Sequence, residues 1–253
     1  MAKIMAKRIL ILGGTRDALE LADALSAEAH FSVIYSLAGR VEHPRLPNCE
    51  TRIGGFGGVN GLSTYLADNR IHAVIDATHP FAATIKQHAE QASQQQELPL
   101  LALVRPPWNA VEGDIWHEVP DLNSAAALVP RLGKRIFLAI GRQEVSVFAP
   151  CTDEYLLIRA IEPPTGPLPP NCDILLARGP FHFEDELKLL RDHAIDLVVT
   201  KNSGGPATYP KIAAARELHI PVVMVQRPRA PQVPSVATIS SVLAWLQNIS
   251  SAT

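Results

Sequence analysis

Three cysteines in 253 residues, Cys49, Cys151 and Cys172, are too few and too scattered for a disulfide framework or a thiolate metal site. Their odd number fits reduced thiols in a cytoplasmic protein. Aromatic residues make up only 6%, and neither charge sign dominates, with a formal net charge of -2. That balance gives no global field to attract nucleic acid or an anionic membrane surface, so any anionic ligand has to be held by local clusters. No apolar run reaches the roughly 20 residues of a membrane-spanning helix, and Lys3, Lys7 and Arg8 interrupt any signal-like apolar region near the start. The 9 histidines contain no HExxH or comparable spacing, so no metal is expected. A nucleophile elbow is also missing. So is the Tyr-x-x-x-Lys pair of short-chain reductases: Tyr65, Tyr155 and Tyr209 are followed four positions later by Asn69, Arg159 and Ala213.

What the chain has is 47% apolar residues, enough for a substantial core, and a segment that changes period within a few residues. In KRILILGGTRDALELADAL, Arg8 to Leu12 is an apolar run of strand length, while Ala18, Leu21, Ala22 and Leu25 recur at helical spacing. The join is Gly13-Gly14, followed by Thr15 and Arg16. A glycine turn from strand to helix lets backbone approach an anion and points the first helical amides at it. It is not the full dinucleotide fingerprint, because Thr15-Arg16-Asp17 stand where a further glycine belongs. Plain α/β connection chemistry explains the turn equally well.

The first half continues as strands at Phe31 to Ser36, Ala73 to Asp76 and Leu100 to Val104, with helices at Val59 to Asn69 and Phe81 to Gln95. Such alternation predicts an α/β fold with a parallel sheet covered on both faces. A helix from Leu122 to Leu132 is expected to close a first domain, residues 1–132. The pattern restarts at Lys134 to Ala139, which repeats the character of Lys7 to Leu12, and runs on through a second domain, residues 133–253. Two similar halves predict an inter-domain cleft as the ligand site, faced by the strand carboxyl ends.

The strand ends carry the candidate chemistry. The second strand ends in Ser36, with Arg40 just beyond, where a ribose-binding acid would usually stand. A hydroxyl and a guanidinium suit a ribose phosphate better than a free diol, favouring NADPH over NADH; Arg40 as a solvated loop cation is the competing reading. In Gly54-Gly55-Phe56-Gly57-Gly58, Gly55 and Gly57 are candidates for close backbone approach to a cofactor, against a simple tight turn. Thr78 and His79 end another strand in DATHP and are placed to bind a nicotinamide ribose or a substrate carboxylate, while Thr78 as a helix cap with Pro80 in the first turn is compatible with either. In the second half Lys201-Asn202-Ser203-Gly204 collects donors at a turn, an arrangement suited to an anion or proton-transfer site. Arg105, Arg142, Arg159, Arg178, Arg227 and Arg229 sit at or near strand ends, as cations for a polyanionic substrate or as ordinary surface charges.

Taken together, LGGTRDALELA, YSLAGR, GGFGGVNGL, VIDATHPFA, AIGRQE, ARGPFHFEDEL, VVTKNSGG and PKIAAARELHIPVVMVQRP resemble, in order and spacing, the precorrin-6A reductases of cobalamin biosynthesis. The resemblance covers nearly the whole chain. It implies two Rossmann-like domains and NADPH-dependent reduction of one ring double bond of precorrin-6A, a carboxylated tetrapyrrole, without flavin or metal. Cofactor contacts are then expected from Gly13, Gly14, Thr15, Arg16, Ser36, Arg40, Gly55, Gly57 and Thr78. Substrate contacts are expected from His79, Arg105, Lys201, Asn202, Ser203 and Gly204. Reduction also needs a proton, for which Lys201 is the first candidate, His79 the second and ordered water a third. A cobalt-bound substrate, or a carrier that binds tetrapyrrole without turnover, stays open at this point.

Overall fold

The computed structural model describes residues 6–39 and 42–251. The chain forms two compact units. One contains the residues up to Arg105 together with those from Arg229 onward, and the other is Pro106–Pro228.

In the first unit the order is β1 (Lys7–Leu12), α1 (Arg16–Ser26), β2 (Phe31–Leu37), β3 (Glu50–Ile53), α2 (Gly58–Asp68), β4 (Ala73–Asp76), α3 (Ala83–Gln95) and β5 (Leu100–Leu103). The second unit runs through β6 (Trp116–Val119), α4 (Leu122–Leu132), β7 (Arg135–Ala139), a 3-10 turn (Val145–Phe148), β8 (Tyr155–Ala160) and β9 (Cys172–Leu176). It ends with α5 (Phe183–Asp192), β10 (Leu197–Lys201), α6 (Pro210–Glu217) and β11 (Val222–Val225). The chain then returns to the first unit with β12 (Ser235–Val236) and α7 (Ile239–Ser251).

Each unit is built on a six-stranded sheet, ordered β12-β5-β4-β1-β2-β3 in the first and β6-β11-β10-β7-β8-β9 in the second. All pairings are parallel, as the strand-helix alternation predicts. Period-two alternation sorts β1 between two cores. Ile9 and Ile11 join Leu21, Leu25 and Val242 on one face, whereas Leu10 and Leu12 join Leu62, Leu66 and Ala89 on the other. Full burial of each such side chain contributes about 1.5–3 kcal/mol. The second unit packs Phe137, Val198, Ile212 and Met224 into its own cluster.

The division between units departs from the expected one at residues 132 and 133. Helix α4 belongs to the second unit, whose edge strand β6 pairs with β11 in the register Val222↔Trp116. Residues 229 onward return to the first unit because β12 pairs with β5, Ser235↔Ala102 and Val236↔Leu103, and Val242 and Leu246 of α7 are fully buried in the first core. Chain order fails as a guide here because strand pairing across more than a hundred residues decides the boundary.

Candidate functional site: a glycine-lined pocket at the strand ends

In the first sheet β2 and β3 continue on one side of β1, and β4 and β5 on the other, so the order reverses between β1 and β4. Ligands of open α/β sheets bind beyond the strand carboxyl ends at such a reversal. A pocket of about 340 Å³ opens there, bordered by Gly13 and Gly14 after β1, Ser36 and Ala38 around the end of β2, Gly54 to Gly58 after β3, and Thr78 and His79 after β4. One wall comes from α3, through Thr84, Ile85 and His88. The pocket thus gathers Gly13, Gly14, Ser36, Gly55, Gly57, Thr78 and His79 of the expected site.

The glycines have different reasons to be glycine. A Cβ on Gly13 would lie 2.4 Å from the Tyr35 ring, so a side chain there would have to displace that buried ring. Gly13 donates its amide to the Ser36 carbonyl at 2.9 Å and Gly14 donates to the Tyr35 hydroxyl at 3.0 Å. The amides of Gly13 and Gly14 are therefore engaged within the fold and are not themselves the free donors expected of a phosphate cradle. Gly14, Gly54, Gly57 and Gly58 all have positive φ. Gly55 has neither a positive φ nor a neighbour within 4 Å of an added Cβ, so only open space before it accounts for the missing side chain.

Two other helices also begin at the pocket. The caps of α2, Gly57, and of α3, Ala82, make no side-chain hydrogen bond to the first turn, and both helix starts border the pocket. Uncapped N-termini present unsatisfied N–H groups and the positive end of the helix dipole. By contrast α1 is closed by Thr15, whose hydroxyl accepts from the Ala18 amide at 3.1 Å and donates to the Ala77 carbonyl at 2.9 Å. Thr15 is thus a cap, and Arg16 is turned to solvent, pairing with Glu20 at 2.7 Å.

Behind the pocket, β4 ends in a buried carboxylate. Asp76 Oδ1 accepts from both the Thr78 amide (3.0 Å) and hydroxyl (2.6 Å), and Oδ2 pairs with Lys86 Nζ at 2.9 Å. Thr78 is held by Asp76 and caps no helix, since α3 begins only at Ala83. His79 Nδ1 accepts from the Phe81 amide at 3.2 Å, which places the ring proton of a neutral imidazole on Nε2. Arg105 pairs with Asp17 at 3.1 Å.

Arg52, unremarked in the sequence, organises the glycine segment. Its Nη1 donates to Ser36 Oγ at 3.1 Å and to the Gly54 carbonyl at 2.7 Å, and its Nη2 donates to the Gly55 carbonyl at 3.0 Å. The guanidinium lies 3.8 Å from the centre of the Phe56 ring. The available signal was an arginine two residues before a glycine cluster, which does not stand out among the other arginines. Arg40 lies outside the described residues.

The expected residues of the second unit serve its own turn. The Asn202 carboxamide accepts from the Trp108 amide at 2.8 Å and donates to the Trp108 carbonyl at 2.9 Å, while Trp108 Nε1 donates to the Gly205 carbonyl at 2.9 Å. Arg227 donates to the carbonyls of Asn202 (2.9 Å) and Ser203 (3.1 Å). Gly204 has φ +69, and an added Cβ would lie 2.1 Å from the Pro106 carbonyl oxygen. Asn202 and Gly204 therefore have structural reasons for their identity. Lys201 ends β10, is 8% exposed, and pairs with Glu144. Arg159 is buried against Glu186, and Arg142 pairs with Glu162 at 3.0 Å. Among the described residues no cluster of histidine, cysteine or carboxylate side chains could hold a metal, and no helix is long and apolar enough to cross a membrane.

The family model described as "Precorrin-6x reductase CbiJ/CobK" matches residues 8–247. A precorrin-6A reductase of Rhodococcus erythropolis is 50% identical over 242 residues, which are 94% of this chain and 97% of the relative. A solved structure, "CobK precorrin-6A reductase", superposes with a TM-score of 0.91 at 43% identity, covering 96% of this chain and 97% of that one. A cobalt-precorrin-6A reductase of Priestia megaterium is 25% identical, over 95% of this chain and 98% of the relative.

Proposed function

Since the chain belongs to the precorrin-6x reductase family and is an oxidoreductase of cobalamin biosynthesis, we propose that it reduces one ring double bond of precorrin-6A with NADPH. The observation that carries the cofactor reading is the glycine-lined pocket at the sheet's reversal point, above all the open space before Gly55. Its volume of about 340 Å³ suits a nucleotide portion. The uncapped starts of α2 and α3 offer amides to phosphate oxygens. NADPH, when bound, supplies the hydride for one carbon of the double bond. The chain's own part is to orient that cofactor and to deliver a proton to the neighbouring carbon.

His79 and Lys201 are the candidates for the proton. His79 holds its proton on Nε2 through the Phe81 amide and borders the pocket. Lys201 is paired with Glu144, and an ammonium at that strand end suits an anchoring contact to a substrate carboxylate. The 50% identity to a precorrin-6A reductase, against 25% to a cobalt-precorrin-6A reductase, favours the metal-free substrate.

The test is NADPH oxidation on adding purified precorrin-6A, compared with its cobalt form. Turnover of the metal-free substrate is expected, and tetrapyrrole binding without NADPH oxidation would replace the enzyme by a carrier. Lys201→Arg sorts the two roles, because a guanidinium anchors but hardly releases a proton. An anchor gives near-normal turnover with arginine and weaker substrate binding with Lys201→Ala, whereas a donor gives lost turnover with unchanged affinity.

A further inference from the structure

The second sheet reverses its order between β10 and β7, as the first does between β4 and β1. In the first sheet that reversal is lined by glycines and left open, whereas in the second it is bridged by charge. Lys201, the last residue of β10, pairs there with Glu144, which stands in the turn after β7. The burial of the pair is lopsided: 10% of the Lys201 side chain is exposed, against 45% of Glu144. In the pairs Lys86–Asp76 and Arg159–Glu186 both partners are buried, so neither carboxylate there can be traded for one from outside. Glu144 is held more loosely. No second cation pairs with it among the described residues, and an added Cβ on Gly141, three residues earlier, would meet no atom within 4 Å. A solvated carboxylate over a buried ammonium is therefore replaceable by a ligand carboxylate at small cost.

We propose that Glu144 is an exchangeable counter-ion of Lys201, displaced by a carboxylate of the tetrapyrrole, and that it sets how tightly substrate and product are held. The inference rests on the reading of Lys201 as the substrate anchor. Reduction of one ring double bond leaves every carboxylate of the tetrapyrrole in place, so an anchoring lysine holds the product as firmly as the substrate. An internal carboxylate that competes for the same ammonium lowers both affinities together, and it returns to Lys201 as the product leaves.

Titration of the protein with precorrin-6A in the absence of NADPH tests this apart from turnover. Glu144→Gln keeps the side-chain shape, removes the charge, and is expected to tighten precorrin-6A by about fivefold and the reduced product equally. In a Lys201→Ala background the same substitution is expected to change the affinity less than about twofold, because the competition is for that ammonium. Weaker binding by Glu144→Gln would make Glu144 a support that orients Lys201 and overturn the exchange. So would an unchanged affinity. Tightening that persists in full without Lys201 would reduce Glu144 to a general repulsion of the polyanion and overturn the proposal as well. An affinity that Lys201→Ala alone leaves untouched would instead bring down the anchoring reading.

Discussion

The two units share the order of five of their six strands, yet their strand ends are finished in opposite ways. In the first, glycines after β1 and β3 leave space, and the polar groups of β4 are drawn back behind it, Asp76 onto Lys86 and Thr78 onto Asp76. In the second, the turn after β10 is occupied by its own side chains, with Asn202 bracketing Trp108 and Arg227 holding the carbonyls of Asn202 and Ser203. Even the charges are reversed. The β4 end carries a buried carboxylate paired with a helical lysine, while the β10 end carries a buried lysine paired with the half-exposed Glu144. A shared topology thus sets where a site can be built, and side-chain volume and pairing decide whether the space stays open.

The largest effect that would break this contrast is expected at the buried pair. Lys86→Met leaves Asp76 buried and uncompensated, so a loss of about 3–5 kcal/mol in denaturant unfolding is expected. Glu144→Gln, at a pair open to water on one side, is expected to cost about 1 kcal/mol or less. Equal losses would erase the difference between the two strand ends.

Next come the turns. Asn202→Ala removes both bonds to Trp108 and is expected to lower stability by about 2 kcal/mol with substrate affinity unchanged. A loss of affinity at constant stability would return Asn202 to the site. The glycines of the first unit separate similarly. Gly13→Val meets Tyr35 and is expected to destabilise by about 1–3 kcal/mol. A Cβ at Gly55 meets nothing within 4 Å, so Gly55→Val is expected to keep its melting temperature while weakening NADPH at least about tenfold, or about 1.4 kcal/mol. Normal NADPH binding by Gly55→Val would remove that loop from the site.

The gentlest effect per step is a pH slope in the second unit, although it accumulates across its window. Burial pushes Lys211 down to about 7, assisted by the charge of Arg159 and opposed by Glu186. Between that value and the ordinary lysine range the unfolded chain holds a proton that the folded chain lacks. Stability is therefore expected to rise with pH from about 7 to 10, by at most about 1.4 kcal/mol per pH unit. Below that window both states are protonated and the contribution is flat. Lys211→Met should abolish the rise, measured by urea unfolding at several pH values. A slope that survives the substitution belongs to another group.

Much of the fold was legible because hydrophobic period is a local property. The apolar run of β1 and the helical spacing of α1 can be read without knowing their neighbours, and each agrees with the observed element. The short strands β3, β6 and β12 carry no strong local pattern, and nothing local assigns α7 to the first core. At the candidate site the glycines, Ser36, Thr78 and His79 were visible as residue types at strand ends, and the pocket brings them together. Arg52 and Lys86 were not visible, since nothing in the few residues around either one names its partner.

Local residue patterns are enough to give the alternation of strands and helices, the parallel sheets, the glycine turns at the strand ends and the family resemblance. Packing is needed to return residues from 229 onward to the first unit, to consume Thr15 and Asn202 in the fold, and to stand Arg52 beside Ser36. The physical reason is range. Backbone propensity and apolar period act over a few residues, whereas hydrogen bonds and ion pairs are made with whatever the packed chain brings within about 3 Å.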